Sequence, residues 1–310
     1  MPEHATGSIK ARPVREGARH ARINVTEPVL HFVCSFGPPP FKKVSLGATI
    51  HAFANLLIEN HGPIRKIFVN RPDKLNALNA ATLDELDRAF QDAGADPTVR
   101  VVILTGSGPK AFVAGADIAQ MNALTPVQGR DFSKRGTDMM RRVELLGKPV
   151  IAMINGFALG GGLELAMCCH LRIAADTAKI GQPEINLGLV PGFGGTQRLL
   201  RLAGRAATLE LCLLGAPISA QRGYELGIVH RVVPADALES TVEQIADQLA
   251  KAAPLAVRSI LDCVLHGEEM PMSEALSYES TQFGLIFSTN DMREGTTAFL
   301  GKRAAEFKGE

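Results

Sequence analysis

Apolar positions along this chain alternate between two spacings. Phe53–Glu59 and Ile64–Asn70 read as strands around a turn at His61-Gly62-Pro63. Asn79 then precedes Leu83, Leu86 and Phe90, a helical spacing with a capping residue in front, and the pattern stops near Gly94. Apolar, β-branched runs at Val99–Leu104, Pro149–Ile154 and Leu171–Ala175 predict buried strands, with a shorter piece near Lys179. A polar amphipathic helix fills 126–146, and an apolar one runs Leu163–Cys169. Strands alternating with helices predict an α/β domain with parallel crossovers. Beyond about residue 195 the pattern turns helical, apart from a strand-like Ile228–Val233, with helices over 235–252, 254–266, 271–288 and 291–303. The stretch Ala111-Phe112-Val113-Ala114-Gly115-Ala116-Asp117-Ile118 reads as a tight loop of small residues.

Residues 1–50 break the pattern. They hold seven Lys/Arg against three Glu and six of the 18 prolines, so this stretch is expected to be a basic extension, without a clean arginine face or an apolar signal core. A core over 51–250 and a helical region over 251–310 follow. The whole chain of 310 residues carries a net charge of +1, with 46% apolar and 21% charged residues. That balance suits a globular protein with a sizeable core, and argues against general attraction to nucleic acid or acidic membranes. No apolar run reaches the ~20 residues of a membrane span. The five cysteines (Cys34, Cys168, Cys169, Cys212, Cys263) lack metal-ligand spacing and read as small hydrophobes in a reducing compartment. With no targeting signal in view, the cytoplasm is the default location, or an organellar matrix if residues 1–50 act as a transit segment.

The chemistry concentrates at Asn155-Gly156-Phe157-Ala158-Leu159-Gly160-Gly161-Gly162-Leu163-Glu164, where a strand enters a glycine-rich turn that opens a helix. Free N–H groups there suit a phosphate or a carbonyl oxygen that becomes an oxyanion; on the glycines alone, tight packing is an equal reading. Glu164 lies among Leu163, Leu165, Ala166 and Met167. A carboxylate buried there is costly unless paired or used, and desolvation raises its pKa toward the range useful in acid–base chemistry. Glu184, in Gly181-Gln182-Pro183-Glu184-Ile185, is a second carboxyl in an apolar setting. Two such groups across one substrate can serve as base and acid.

Taken together, several segments resemble the crotonase (enoyl-CoA hydratase) superfamily. They are Asn70-Arg71-Pro72-Asp73-Lys74-Leu75-Asn76-Ala77-Leu78, Ala114-Gly115-Ala116-Asp117-Ile118, Pro149-Val150-Ile151-Ala152 with Asn155-Gly156, and the Gly160–Gly162 triplet with Glu164. Gly181-Gln182-Pro183-Glu184, Pro191-Gly192-Phe193-Gly194-Gly195-Thr196-Gln197-Arg198 and Arg293-Glu294-Gly295 with Ala298-Phe299 complete the set, all in register over about residues 52–310. The resemblance implies an α/β spiral of ββα units with a C-terminal helical region that packs trimers, often paired into hexamers. It implies backbone N–H groups of Ala116 and Gly161 as an oxyanion hole, and Glu164 and Glu184 as the catalytic pair. The reaction it implies is syn hydration of a trans-2-enoyl-CoA to a 3-hydroxyacyl-CoA, a hydro-lyase activity needing no metal or redox cofactor. CoA contacts are implied for Asp73, Lys74 and Ala77, and substrate contacts for Ala114, Asp117 and Ile118. Lys302 matches a C-terminal lysine near CoA in some members. The acyl-tail pocket is expected from the 120–145 region. His170 stands where many hydratases carry an acid, and is expected to be structural. Rival readings are an enoyl-CoA isomerase, which uses one carboxylate, and a branched (methylglutaconyl-type) hydratase. The RNA-binding branch of the family is disfavoured by the net −3 of residues 51–310.

Overall fold

The structure, a computed structural model, describes residues 53–310. The readings of residues 1–50 and of Cys34 lie outside the described residues. An antiparallel hairpin opens the fold, β1 (Leu56–His61) with β2 (Ile64–Val69), and Leu56 faces Val69. A 3₁₀ turn at Pro72–Lys74 leads to α1 (Ala80–Ala95), whose first turn is capped by the Asn79 side chain accepting from Thr82 N at 2.8 Å. Leu83, Leu86 and Phe90 are fully or almost fully buried, as their spacing requires.

From there the chain repeats one unit. A long strand is followed by a short one and then by helix: β3 (Val101–Gly106) and β4 (Ala111–Ala114) before α2 (Ile118–Met121) and α3 (Pro126–Glu144). Next come β5 (Val150–Ile154) and β6 (Phe157–Leu159) before α4 (Gly161–Met167). Then β7 (Leu171–Ala175) and β8 (Lys179–Gly181) precede α5 (Gly195–Leu214), which breaks its helical geometry at Gly204. The remaining elements are β9 (Ile218–Ser219), α6 (Ala220–Glu225), β10 (Arg231–Val233), α7 (Leu238–Ala250), α8 (Pro254–Gly267), α9 (Met272–Ile286) and α10 (Asn290–Leu300).

Each unit gives its first strand to one sheet and its second to another. The larger sheet runs β1-β2-β3-β5-β7-β10, parallel from β2 onward; the smaller runs β4-β6-β8-β9, with only β9 antiparallel. This is the expected spiral of ββα units. Ile67, Ile103, Leu104, Ile151 and Ile154 of the larger sheet are buried, and α7 covers it through Val242 and Ala246. The tight loop expected at 111–118 is corrected in part: residues 111–114 form β4, a strand too short and too rich in alanine to show an alternating pattern. Its backbone is wrapped closely. A Cβ on Gly106 would collide with the carbonyls of Ala111 and Phe112, one on Gly156 with that of Lys110, and one on Gly162 with that of Val113.

Helices α8 and α9 pack on each other and contain no buried residue. Large apolar side chains stand exposed across this C-terminal region, among them Val264, Phe283, Leu300 and Phe299 (83% exposed). Among the described residues, no helix is long and apolar enough to cross a membrane.

Candidate active site

A cavity of about 790 Å³ opens where the β4 loop, α3, the start of α4 and the 183–193 segment meet. Its wall includes Ala114, Ala116, Ile118, Gly160, Gly161, Glu164, Glu184 and Phe193. The structure therefore brings together both glutamates and both expected oxyanion donors. Residues between Met121 and Ser133 complete the wall, in the region expected to line an acyl pocket.

The donors are set by local backbone geometry. Leu78 forms a parallel bridge with Ala116, in which Leu78 N donates to Gly115 O (2.9 Å) and Asp117 N to Leu78 O (2.8 Å). That pattern uses the peptides on either side and turns the Ala116 N–H away from Leu78. Gly161 is the first residue of α4, where N–H groups have no intrahelical acceptor. The two positions are neighbours: a Cβ on Gly161 would sit 3.6 Å from Ala116 N. Gly160 ahead of it takes φ +50° and ψ −123°, and its missing side chain makes room for Glu184, whose Oε1 a Cβ would strike.

Glu164 is 1% exposed. Its Oε1 accepts from Phe193 N (2.8 Å) and Gly195 N (2.6 Å), so one oxygen is held by backbone. Burial pushes its pKa up to about 7, the nearby Glu184 adds to that rise, and the two backbone donors and Arg198 oppose it. Glu184 is half-buried in the 3₁₀ segment Pro183–Leu187, and desolvation pushes it up to about 7 as well. The Gln182 carboxamide, turned with its nitrogen toward Glu184, donates to both carboxylate oxygens at 2.9 and 3.1 Å. Two carboxyls with such pKa values on one cavity wall can hold a proton between them near neutrality and exchange it with a substrate.

Other expected contacts fall elsewhere. Asp73 and Lys74 are exposed and Ala77 half-buried on the 71–78 loop, outside the cavity wall. Asp117 is engaged with Arg71 (2.9 Å), whose hydrogen bond holds its carboxyl below the usual range. Lys302 is exposed beyond the end of α10, away from that wall. His170 is structural, as expected: its Nδ1 accepts from Val150 N (2.9 Å), its Nε2 lies 2.9 Å from Glu144 O, and burial lowers its pKa. Cys168 and Cys169 are buried and free. No group of three or more potential metal-ligating side chains occurs among the described residues.

Three residues inside the quoted motifs acquire jobs that sequence reasoning did not assign. Arg71 bonds Ala77 O as well as Asp117, folding its loop back on itself. Buried Asn76 donates to Ser107 O (3.0 Å) and Ala111 O (2.9 Å) and accepts from Arg71 N (2.9 Å), fastening that loop to β4. Arg198 donates to Phe193 O (2.5 Å) behind the turn that grips Glu164.

Known proteins resemble this chain in sequence and fold. The sequence pattern of the family described as enoyl-CoA hydratase/isomerase matches residues 59–310. A crotonyl-CoA hydratase of Syntrophomonas wolfei is 45% identical over 256 residues, covering 83% of this chain and 98% of that protein. A short-chain-enoyl-CoA hydratase of Clostridium acetobutylicum is 44% identical, covering 81% and 97%. The crystal structure of an enoyl-CoA hydratase from Bacillus anthracis superposes with a TM-score of 0.80 at 40% identity, over 83% of this chain and all of that one.

Proposed function

The chain belongs to the enoyl-CoA hydratase/isomerase family, and from that premise we propose that it adds water across the C2–C3 double bond of a trans-2-enoyl-CoA to give the 3-hydroxyacyl-CoA. The observation that carries this reading is the presence of both Glu164 and Glu184 on one cavity wall, each with a pKa near 7, beside the backbone N–H groups of Ala116 and Gly161. An isomerisation that shuttles a single proton needs one carboxyl; hydration uses two.

The thioester oxygen accepts from the Ala116 and Gly161 N–H groups, which stabilise the negative charge that develops as C3 is attacked. Glu164, with Oε1 tied to Phe193 and Gly195, presents its other oxygen to water and takes a proton as the water oxygen bonds to C3. Glu184 delivers its proton to C2. Passing the proton from Glu164 back to Glu184 restores the pair, so no metal or redox cofactor enters the balance. The base and acid labels belong to a coupled pair rather than to isolated groups. Asp73, Lys74 and Ala77 on the 71–78 loop, together with Lys302, are proposed CoA contacts. Ala114 and Ile118 on the cavity wall, and Asp117 beside them, are proposed substrate contacts. Residues 51–250 form the catalytic spiral and 251–310 the assembly region. The exposed apolar faces of α8–α10 support self-association as a trimer or hexamer. The activity belongs to fatty-acid oxidation or related acyl-CoA metabolism, in the cytoplasm, and the extension before residue 51 takes no part in it.

The test is loss of the 2-enoyl thioester absorbance on adding crotonyl-CoA, repeated with longer and branched chains. Glu164→Gln and Glu184→Gln are each expected to slow turnover by at least ~100-fold. Near-normal turnover in either refutes the assignment, and conversion of 3-enoyl-CoA alone points to the isomerase.

A further inference from the structure

We propose that Arg198 is a positioning residue for Glu164, acting through the backbone of Phe193 and held in place by Glu144. The proposal rests on the hydratase reading and names how its base is held.

The connections are short and directional. Arg198 Nη1 donates to Phe193 O at 2.5 Å, while the Phe193 N–H donates to Glu164 Oε1 at 2.8 Å. The intervening Gly194 adopts φ +96°, and a Cβ there would strike Arg198 Nη1, so the turn is moulded on the guanidinium. On its other edge, Arg198 Nε donates to Glu144 Oε1 at 2.5 Å, and both side chains are 13% exposed. Glu144 is the last residue of α3, where the helix dipole disfavours an anion. It is kept there by two cations, Arg198 and Arg141 (3.1 Å to Oε2). A planar fork serves this arrangement and an ammonium does not, because one edge must meet a carbonyl and another a carboxylate at fixed angles.

Arg198 therefore does two things. It fixes the Phe193–Gly195 turn that aims Glu164, and its charge favours the ionised base. The groups that face Glu164 electrostatically are Glu184 from the 183–187 segment and Arg198 and Cys212 from α5; Cys168 of α4 and Glu144 of α3 face Arg198 in turn.

The two charges of the Arg198–Glu144 pair give effects of opposite sign on the acid limb of the pH profile of kcat/KM for crotonyl-CoA. Arg198→Met removes a cation and is expected to move that limb up by about half a pH unit or more, with kcat down ~10- to 100-fold from loss of aim. Arg198→Lys keeps the charge and is expected to return the limb but not kcat. Glu144→Gln leaves the cation unbalanced and is expected to move the limb down. Circular dichroism and assembly size establish that each variant is folded; if Arg198→Met fails to fold, Glu144→Gln with Arg198→Lys carries the test. Unmoved limbs in folded variants, or movement in the same sense for Arg198→Met and Glu144→Gln, overturn the proposal. A wild-type chain that hydrates no 2-enoyl-CoA overturns instead the hydratase reading beneath it, so the two failures are distinguishable.

Discussion

Replacing Glu164 by Gln is expected to stabilise the fold while destroying its chemistry. The carboxyl is 1% exposed and its pKa stands at about 7 instead of the ordinary 4.5. That difference corresponds to roughly 3 kcal/mol of disfavoured ionisation. A carboxyl raised in this way gives stability that is fully present below pH 4.5, where both folded and unfolded chains carry the proton. Between about 4.5 and 7 the unfolded chain ionises while the folded one does not, so stability falls with rising pH; above about 7 the loss is complete. A glutamine carbonyl in the place of Oε1 still accepts from Phe193 and Gly195 N–H groups and carries no charge at any pH. Part of the rise comes from Glu184 and disappears only when that neighbour is neutral, so the expected gain at pH 8.5 is about 2–3 kcal/mol, shrinking toward zero at pH 4.5. Urea unfolding of both proteins at matched protomer concentration across this range measures it, the concentration being held because self-association would otherwise shift the midpoints. A pH-independent difference, or a gain that grows on acidification, would refute the argument that burial of an ionisable group is what the fold tolerates at this position.

Three further outcomes follow from the same geometry. Gly160→Ala forces a side chain into φ +50° and against the Glu184 carboxylate, and turnover is expected to drop about 100-fold with the fold retained; unchanged kcat would mean that Glu184 has freedom to move. Arg71→Met unties the 71–78 loop from Asp117 and Ala77, so KM for an acyl-CoA is expected to rise about tenfold with kcat largely kept, and an unchanged KM would remove that loop from CoA binding. Phe299→Asp places a charge on the exposed apolar face of the C-terminal helices, and light scattering is expected to show smaller assemblies; an unchanged mass would detach that face from self-association.

How much of this was legible beforehand depends on the residue. The central strands of the larger sheet announce themselves through runs such as Val-Val-Ile-Leu and Val-Ile-Ala-Met-Ile, because both of their faces are buried. Strands β4, β6 and β9 have four, three and two residues, too few for any period, so of the second sheet only the piece near Lys179 shows in the pattern. Glu164 stands out as a carboxyl within an apolar helix. What holds it does not, since Phe193 N and Gly195 N are backbone donors with no compositional signature, 29 and 31 residues away along the chain. Arg198, which stands inside a quoted motif, and Glu144 are separated by 54 residues, and nothing in the sequence pairs them. The Gly160–Gly162 run was ambiguous between packing and binding for a physical reason: Gly162 meets the Val113 carbonyl, Gly160 makes room for Glu184 and Gly161 lies beside Ala116, so both readings hold at adjacent positions.

The three glycines that enclose β4 carry a consequence for how such a protein can change. Because Gly106, Gly156 and Gly162 bring main chain against main chain, the course of that strand is dictated by peptide groups and not by the volume of neighbouring side chains. Ala116 lies two residues beyond its end, so its N–H inherits a placement that repacking of the surrounding core barely perturbs. The cavity wall contributed by residues 121–133 is made of side chains on separate helical and loop segments and has no such anchor. A randomised library should therefore divide sharply, with substitutions along 121–133 producing altered substrate ranges and substitutions at the three glycines producing inactive chains. Novelty and invariance are assigned to different parts of the same pocket by whether the backbone or the side chains meet.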